Sequence, residues 1–386
     1  MAGIYIHVPF CKKICSYCDF YKSALLALIP DFITAVDREL ELRKHYLQDE
    51  TVETVYLGGG TPSVLTTVQI NHFIDRIRHN HRVSADCEFT MEANPDDLTP
   101  EYLAGLKMKT EINRLSIGIQ SFNDDDLVLL HRRHNADQAL SCITEAKRAG
   151  FSNLSLDMIY GLPGMKINDW RRNLETAFSL DIQHLSAYHL TLEPGTELAR
   201  KASRGLLEMI PDQESSEQFM LLGELAREHG FVHYEISNLS REGMISRHNS
   251  GYWSGKNYLG LGPSAHSYDG KSRQWNVSGI KKYIDALEKG GTYFESESLD
   301  QRTRFNEYLM VSLRTMWGVN LDTIKAEFGD ESATYFVGNI QRFLADDKVI
   351  RINDNYILSP AGWLISDFII SRLIRDQDRV VHNPMQ

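Results

Sequence analysis

The sequence has few cysteines, no long apolar run near its start and no excess of basic residues. Only five of its 386 residues are cysteine, and this odd number argues against a framework of paired disulfides. The apolar run 24–29 is far too short to span a bilayer. Acidic residues outnumber Lys and Arg by 52 to 41, giving a formal charge of −11, which argues against general nucleic-acid binding. The first ten residues leave no room for a signal peptide, so we expect a cytoplasmic globular protein.

Three of the five cysteines, Cys11, Cys15 and Cys18, lie within eight residues, directly after the short apolar run 4–8. Three thiolates on one loop can hold three irons of a four-iron cluster. Because such clusters usually take four cysteine ligands, the fourth iron would be open to an exogenous ligand. A zinc site is the alternative, although zinc usually takes separate Cys-x2-Cys pairs and the sequence has no second pair. The spacing therefore predicts a metal centre and favours the cluster.

Short β-rich runs alternate with longer amphipathic runs through the first 237 residues. The predicted strands are 4–7, 54–57, 88–93, 114–119, 153–158 and 184–189. The predicted helices are 30–46, 67–81, 100–107, 136–149, 168–179 and 212–229. Strands joined by crossover helices form a parallel sheet. The sequence therefore predicts an α/β fold whose sheet is closed, or partly closed, like a barrel.

Polar and glycine residues follow several of the predicted strands. The run 58–62, Gly-Gly-Gly-Thr-Pro, comes after the second strand; Glu92 lies near the end of the third, Gln120 follows the fourth and Asp157 ends the fifth. Ligands of parallel sheets bind at the carboxyl ends of the strands. Glycines let a ligand approach the backbone closely, but this run lacks the Gly-x4-Gly-Lys pattern of a nucleotide-phosphate loop. We therefore expect one ligand site at this rim, beside the cysteine loop.

The cysteine spacing and the segments 5–11, 58–62 and 157–163 resemble the oxygen-independent coproporphyrinogen oxidase group of radical SAM proteins. The resemblance implies a partial (β/α)6 barrel, a [4Fe–4S] cluster on the three closely spaced cysteines, and S-adenosylmethionine (SAM) on the open iron. It also implies that SAM, in one or two copies, contacts the residues Tyr5, Tyr17, Gly59, Gly60, Thr61, Glu92, Gln120, Arg132 and Asp157.

Two branches of this group differ in function. The anaerobic decarboxylase of haem biosynthesis typically has a fourth cysteine two residues after the third, where this chain has Phe20. The decarboxylase also carries an N-terminal extension, and only three residues precede Ile4 here. Both features instead resemble the HemW-type haem chaperones. Oxidative decarboxylation of coproporphyrinogen III is the alternative function, and a radical methyltransferase also stays open, as does the question whether SAM is cleaved.

The segment 247–253 matches the His-Asn-x-x-Tyr-Trp motif that is associated with haem in those chaperones. Imidazole is a ligand of haem iron, and aromatic rings can pack against the macrocycle. The resemblance assigns haem contact to His248, Asn249, Tyr252 and Trp253. His266 is a weaker candidate, and a satisfied histidine among core aromatics is the alternative interpretation. A chaperone implies an acceptor protein, whose identity and membrane association the sequence leaves open, together with the oligomeric state.

Three segments are predicted: a barrel domain over 1–237, a linking segment with the haem motif over 238–300, and a C-terminal domain over 301–386. The last contains predicted helices and a hairpin in the pattern of a winged helix, α+β in class: 303–317, 321–328, 332–344, 349–352, 356–358 and 362–374. Ten Lys and Arg against eleven Asp and Glu from residue 301 onward give no basic surface for DNA. We expect this domain to act as a lid or docking module.

Overall fold

The structure is a computed structural model that describes residues 2–375, so the end of the predicted C-terminal domain, 376–386, lies outside the described residues. The chain forms two compact units. The first comprises the chain up to His233, then Ser237–Gly251 and Lys256–Glu297. The second comprises Tyr234–Ile236, Tyr252–Gly255 and the chain from Ser298 onward. No helix within residues 2–375 has both the length and the apolar character needed to cross a membrane.

A large sheet of twelve strands is built from the described residues, and its order is β12-β11-β10-β9-β1-β2-β3-β4-β5-β6-β8-β7. In chain order the strands are β1 (Ala2–Val8), β2 (Val52–Gly59), β3 (Val83–Ala93), β4 (Arg114–Gln120), β5 (Leu154–Tyr160), β6 (His184–His189), β7 (Phe231–Glu235), β8 (Asn238–Arg241), β9 (Tyr258–Leu261), β10 (His266–Tyr268), β11 (Ser272–Asn276) and β12 (Phe294–Ser298). Each of β1 to β5 pairs in parallel with the next strand in the chain. This arrangement confirms the predicted α/β class with a parallel sheet.

The six predicted helices are present and begin and end within four residues of the predicted positions, and the described residues of the first unit contain four further helices that were not predicted. In the first unit they are α1 (Ile29–Leu42), α2 (Thr67–Asn80), α3 (Pro100–Lys109), α4 (Asp124–Leu129), α5 (Ala136–Arg148), α6 (Ile167–Ser179), α7 (Glu197–Ser203), α8 (Asp212–Glu228), α9 (Arg247–Trp253, which extends into the second unit) and α10 (Ile280–Lys289). Residues spaced by four, Phe32, Val36 and Leu40, form the buried face of α1. Thr66 caps α2 with a reciprocal bond from Gln69, an interaction that stabilises a helix by about 1 kcal/mol.

The stretch 238–300, expected to be a linking segment, contains strands β8 to β12 and helices α9 and α10. Strand β9 pairs in parallel with β1 on the side away from β2. Buried Glu39 joins this stretch to α1, since it accepts hydrogen bonds from the Tyr283 hydroxyl at 2.6 Å and the Gly262 amide at 3.0 Å. These contacts join residues more than 200 positions apart, which no local pattern reveals.

The second unit has its own core and a three-stranded sheet of order β13-β15-β14. Its elements are α11 (Gln301–Ser312), β13 (Val319–Asn320), α12 (Leu321–Ala345), β14 (Val349–Ile352), β15 (Asn355–Leu358), α13 (Pro360–Trp363) and α14 (Ser366–Leu373). The two helices predicted over 321–344 are continuous apart from a kink at Gly329, whose φ of 84° suits glycine. The antiparallel hairpin of β14 and β15 lies where it was predicted.

Candidate functional site

A cavity of about 470 Å³ opens at the carboxyl ends of the parallel strands in the first unit. The three cysteines of the loop after β1 line one part of it. Eight of the nine predicted SAM contacts also line this cavity, namely Tyr17, Gly59, Gly60, Thr61, Glu92, Gln120, Arg132 and Asp157. The topology therefore brings together residues that are up to 146 positions apart in the chain, from Cys11 to Asp157.

Hydrogen bonds hold the cysteine loop at its start and further along the chain. Phe10 bridges Ser23, and the Cys11 amide donates to the Ser23 carbonyl at 3.0 Å. Further along, the Ser16 hydroxyl donates to the Leu129 carbonyl at the end of α4, at 2.8 Å. These bonds hold the loop over the rim of the sheet with its three free thiols on one cavity.

Each of two cysteine sulfurs accepts a hydrogen bond from a residue of the rim. Thr61 Oγ1 donates to Cys11 Sγ at 3.4 Å, and Arg132 Nη1 donates to Cys15 Sγ at 3.3 Å. Burial raises the pKa of the Cys11 and Cys18 thiols, so iron binding there must release protons. Of the described residues, 2–375, no set of three His, Cys, Asp or Glu side chains could hold one single metal ion. A four-iron cluster instead takes each thiolate on a different iron, which suits cysteines spread around a cavity.

Two buried carboxylates, Glu92 and Asp157, line the same cavity. Glu92 Oε1 accepts from the Tyr56 hydroxyl at 2.9 Å, and its Oε2 accepts from the Gly59 amide at 3.0 Å. Burial, and then the charge of Asp157, raise the pKa of Glu92 to about 7. Burial also raises the pKa of Asp157, whose Oδ1 accepts from the Ser116 hydroxyl at 3.1 Å. A cationic ligand would relieve the repulsion between these two groups.

The three glycines at the end of β2, Gly58 to Gly60, are required by their packing. A Cβ on Gly58 would lie 2.9 Å from Glu92 Oε1, and a Cβ on Gly60 would lie 2.8 Å from the Phe10 carbonyl oxygen. Gly59 has a φ of +108°, a conformation that side chains rarely adopt. The glycines therefore let the cysteine loop and the carboxylate of Glu92 close onto β2.

The residues fit the groups that the sequence predicts. SAM carries a sulfonium, an ammonium and a carboxylate, and the cavity offers two buried carboxylates for the cations. Arg132 donates through Nη2 to Asn94 Oδ1 at 2.6 Å and to the Gly118 carbonyl at 2.7 Å, while its buried Nε has no hydrogen-bond partner. A buried donor without a partner is costly, so a ligand acceptor at this position would be stabilising.

One predicted SAM contact is placed elsewhere, and other residues join the site. Tyr5 does not line the cavity in the described residues; it lies behind Gly58, with its hydroxyl 3.1 Å from His7 Nδ1. Asn94 and Ser116, which the sequence did not single out, do line it. The signal for Ser116 was its position four residues before the predicted site residue Gln120 on β4, since alternate residues of a strand share one face.

His248 of the haem motif is buried at the other end of the strands. Its Nδ1 forms a hydrogen bond of 2.8 Å with Thr54 Oγ1, and its ring stacks on that of Tyr56 at 5.0 Å between centroids. Thr54 and Gly3, which also approaches the His248 ring, lie near the starts of β2 and β1. Burial, and then the charge of Arg114, lower the pKa of His248 to about 3, so the imidazole is neutral.

The backbone at the start of α9 is held by Glu88 of β3. The amides of Arg247 and His248 donate to Glu88 Oε2 and Oε1 at 3.2 and 3.1 Å. The other predicted haem contacts, Asn249, Tyr252 and Trp253, are half-buried, and His266 is exposed on β10. In this conformation the His248 side chain is thus buried, hydrogen-bonded and stacked, and it lies on a helix and not in a loop.

Comparison with known proteins gives consistent matches. The Radical SAM superfamily model matches residues 5–177, and the HemN C-terminal domain model matches 299–365. The heme chaperone HemW of Bacillus subtilis is 36% identical over 97% of this chain and 99% of its own length. The Mycobacterium tuberculosis HemW is 35% identical over 96% of the chain and 94% of its own length. The coproporphyrinogen III oxidase HemN of Escherichia coli superposes with a TM-score of 0.83 over 97% of this chain and 90% of its own, at 21% identity, which shows a shared fold.

Proposed function

The chain belongs to the HemW family of radical SAM proteins, and from this membership we propose that it is a haem chaperone. It takes up haem and passes it to an acceptor protein. The observation that carries this function is the match to HemW proteins along nearly the whole chain. The similarity to HemN is a similarity of fold and is less specific.

In this proposal Cys11, Cys15 and Cys18 would hold a [4Fe–4S] cluster, and SAM would bind in the same cavity, which is lined by the carboxylates of Glu92 and Asp157. When bound, the cluster and SAM would supply one-electron chemistry at the cavity. Arg132 places a positive charge beside the Cys15 sulfur, where it stabilises the negative charge of a cluster held through thiolates. Glu92 and Asp157 orient the cationic ligand. Phe20, 65% exposed at the mouth of the cavity, cannot ligate iron where the decarboxylase typically has a cysteine.

Haem titration tests the proposal directly. We expect the cluster-loaded protein to bind one haem per chain in anaerobic absorbance titrations and to deliver it to an apo-haem protein added in excess. In parallel, incubation with coproporphyrinogen III, SAM and a reductant should yield no protoporphyrinogen. Absence of haem binding combined with porphyrinogen turnover would instead establish the decarboxylase.

SAM affinity should depend on pH through Glu92. The pKa of this carboxyl is about 7, so it is largely protonated below pH 6 and largely ionised above pH 8. Because the ionised form attracts the ligand's positive charge, we expect SAM affinity to rise with pH by about tenfold, the factor for one pKa unit of interaction. Calorimetry at pH 6, 7 and 8 measures it.

Glu92→Gln is the matched variant, because the amide keeps the shape and cannot ionise. It should bind SAM with the weak affinity of the native protein at pH 6 and should lack the rise up to pH 8. The same pH dependence in both proteins would show that another group, including an ionising group of SAM, is responsible.

A further inference from the structure

A continuous series of contacts joins the cavity to the haem motif at the other end of the sheet. Glu92, which lines the cavity, accepts the Tyr56 hydroxyl at 2.9 Å. The Tyr56 ring stacks on His248 at 5.0 Å with an interplanar angle of 27°. His248 in turn bonds Thr54 at 2.8 Å. One side chain, Tyr56, thus spans the distance between a carboxylate of the cavity and the imidazole assigned to haem.

Strand β3 provides a second connection between the same two places. Glu88 and Glu92 are four residues apart, and alternate residues of a strand share one face. Glu88 binds the first two amides of α9, while Glu92 lines the cavity. All of these groups are buried or half-buried, and each is hydrogen-bonded or stacked on a neighbour. A shift of one group therefore moves protein atoms and not only solvent. Closely packed interiors transmit such changes to neighbouring groups.

We infer that SAM binding at Glu92, acting through Tyr56, displaces the His248 imidazole from its contacts with Tyr56 and Thr54 and so raises the affinity for haem. The inference rests on the proposed function. Both oxygens of Glu92 already accept a hydrogen bond in the structure. A cationic ligand that engages this carboxylate competes with the Tyr56 hydroxyl, and the ring beneath His248 then loses its anchor. Tyr56 is therefore a positioning residue that links the two ligands, and a ligand shifts such an equilibrium only by its preference for one state.

Hydrogen exchange measures, without any haem, how firmly the backbone at His248 is held. In the full-length, cluster-loaded protein, saturating SAM should speed exchange of the Arg247 and His248 amides on the order of tenfold, within the range of typical couplings between sites. Tyr56→Phe keeps the ring and removes the hydroxyl, so SAM should still bind but leave this exchange rate unchanged.

Tyr283→Phe is the matched control. It also removes a buried tyrosine hydroxyl that donates to a glutamate, Glu39, at 2.6 Å, but it lies outside the series from Glu92 to His248. The response of α9 to SAM should survive in this variant. A SAM response that is absent or reversed in the native protein, or retained in Tyr56→Phe, would overturn the inference.

Haem affinity measured with and without SAM provides the second readout. Coupling is reciprocal, so SAM should tighten haem binding by the same factor as haem tightens SAM binding. This factor should fall to one in Tyr56→Phe. A native protein that binds both ligands with a factor of one contradicts the coupling alone, whereas a native protein that binds no haem contradicts the proposed function. In the latter case the exchange experiment still decides whether SAM moves α9.

Discussion

Replacing Cys15 with alanine is expected to abolish the iron–sulfur cluster while leaving the fold intact. Removing one of the three thiolates leaves two protein ligands, too few for a cluster that usually has four. Cys15 is half-buried and its sulfur accepts a hydrogen bond from Arg132, so the loss of packing is small. Iron and sulfide should fall from about four of each per chain to a residual level after anaerobic reconstitution. The far-ultraviolet circular dichroism spectrum should be unchanged.

Cys142→Ala is the control for this variant. Cys142 is buried on α5, its thiol donates to the Ala139 carbonyl at 3.1 Å, and burial raises its pKa to about 12. It behaves as a packing residue, so this variant should keep the full iron content and lose about 1 kcal/mol of unfolding free energy. Full iron and sulfide in Cys15→Ala would contradict the ligand assignment, and one zinc per chain in the native protein would favour the alternative metal.

The parallel half of the sheet could be predicted from sequence because its signals are local. Short β-rich runs, intervening amphipathic helices and the glycine-rich turn after β2 gave six strands close to their observed positions, and β6 is His184–His189 as predicted. The cavity followed from one general rule, that the carboxyl ends of parallel strands meet. Neither step needed knowledge of which residues contact each other across the fold.

The position of the haem motif could not be predicted in this way. The buried position of His248 depends on the register between strands, in which Gly3 lies beside Thr54 and Thr54 lies beside Glu88. One signal was nevertheless present in the sequence. Strands of a parallel sheet buried on both faces are usually apolar throughout, yet β2 carries Thr54 and Tyr56 on alternate positions. Such a polar face inside a buried sheet indicates that something polar packs against it.

Because the His248 imidazole is buried, we expect a second large effect. Removing its hydrogen bond to Thr54 should increase the affinity for haem. If His248 ligates haem iron as proposed, its imidazole must first leave Thr54 and Tyr56. The measured haem affinity is then the intrinsic affinity reduced by the fraction of molecules in which the imidazole is free of these contacts. Thr54→Val keeps the branched shape of the side chain and removes the 2.8 Å bond to Nδ1. The bond is worth about 1 kcal/mol, so haem should bind about fivefold more tightly to this variant.

His248→Ala should have the opposite effect, because it removes the side chain that we propose as the iron ligand. We expect haem affinity to fall by at least about tenfold, as for the loss of one good interaction of 1.4 kcal/mol, together with the absorbance bands of imidazole-ligated haem. The double variant, Thr54→Val with His248→Ala, separates ligation from loosening of the fold. If His248 ligates the iron, Thr54→Val has no imidazole to free once His248 is replaced. The double variant should then bind haem as weakly as His248→Ala. If the substitutions only loosen the start of α9, Thr54→Val should still increase haem affinity when His248 is absent, and the ligand must then lie elsewhere.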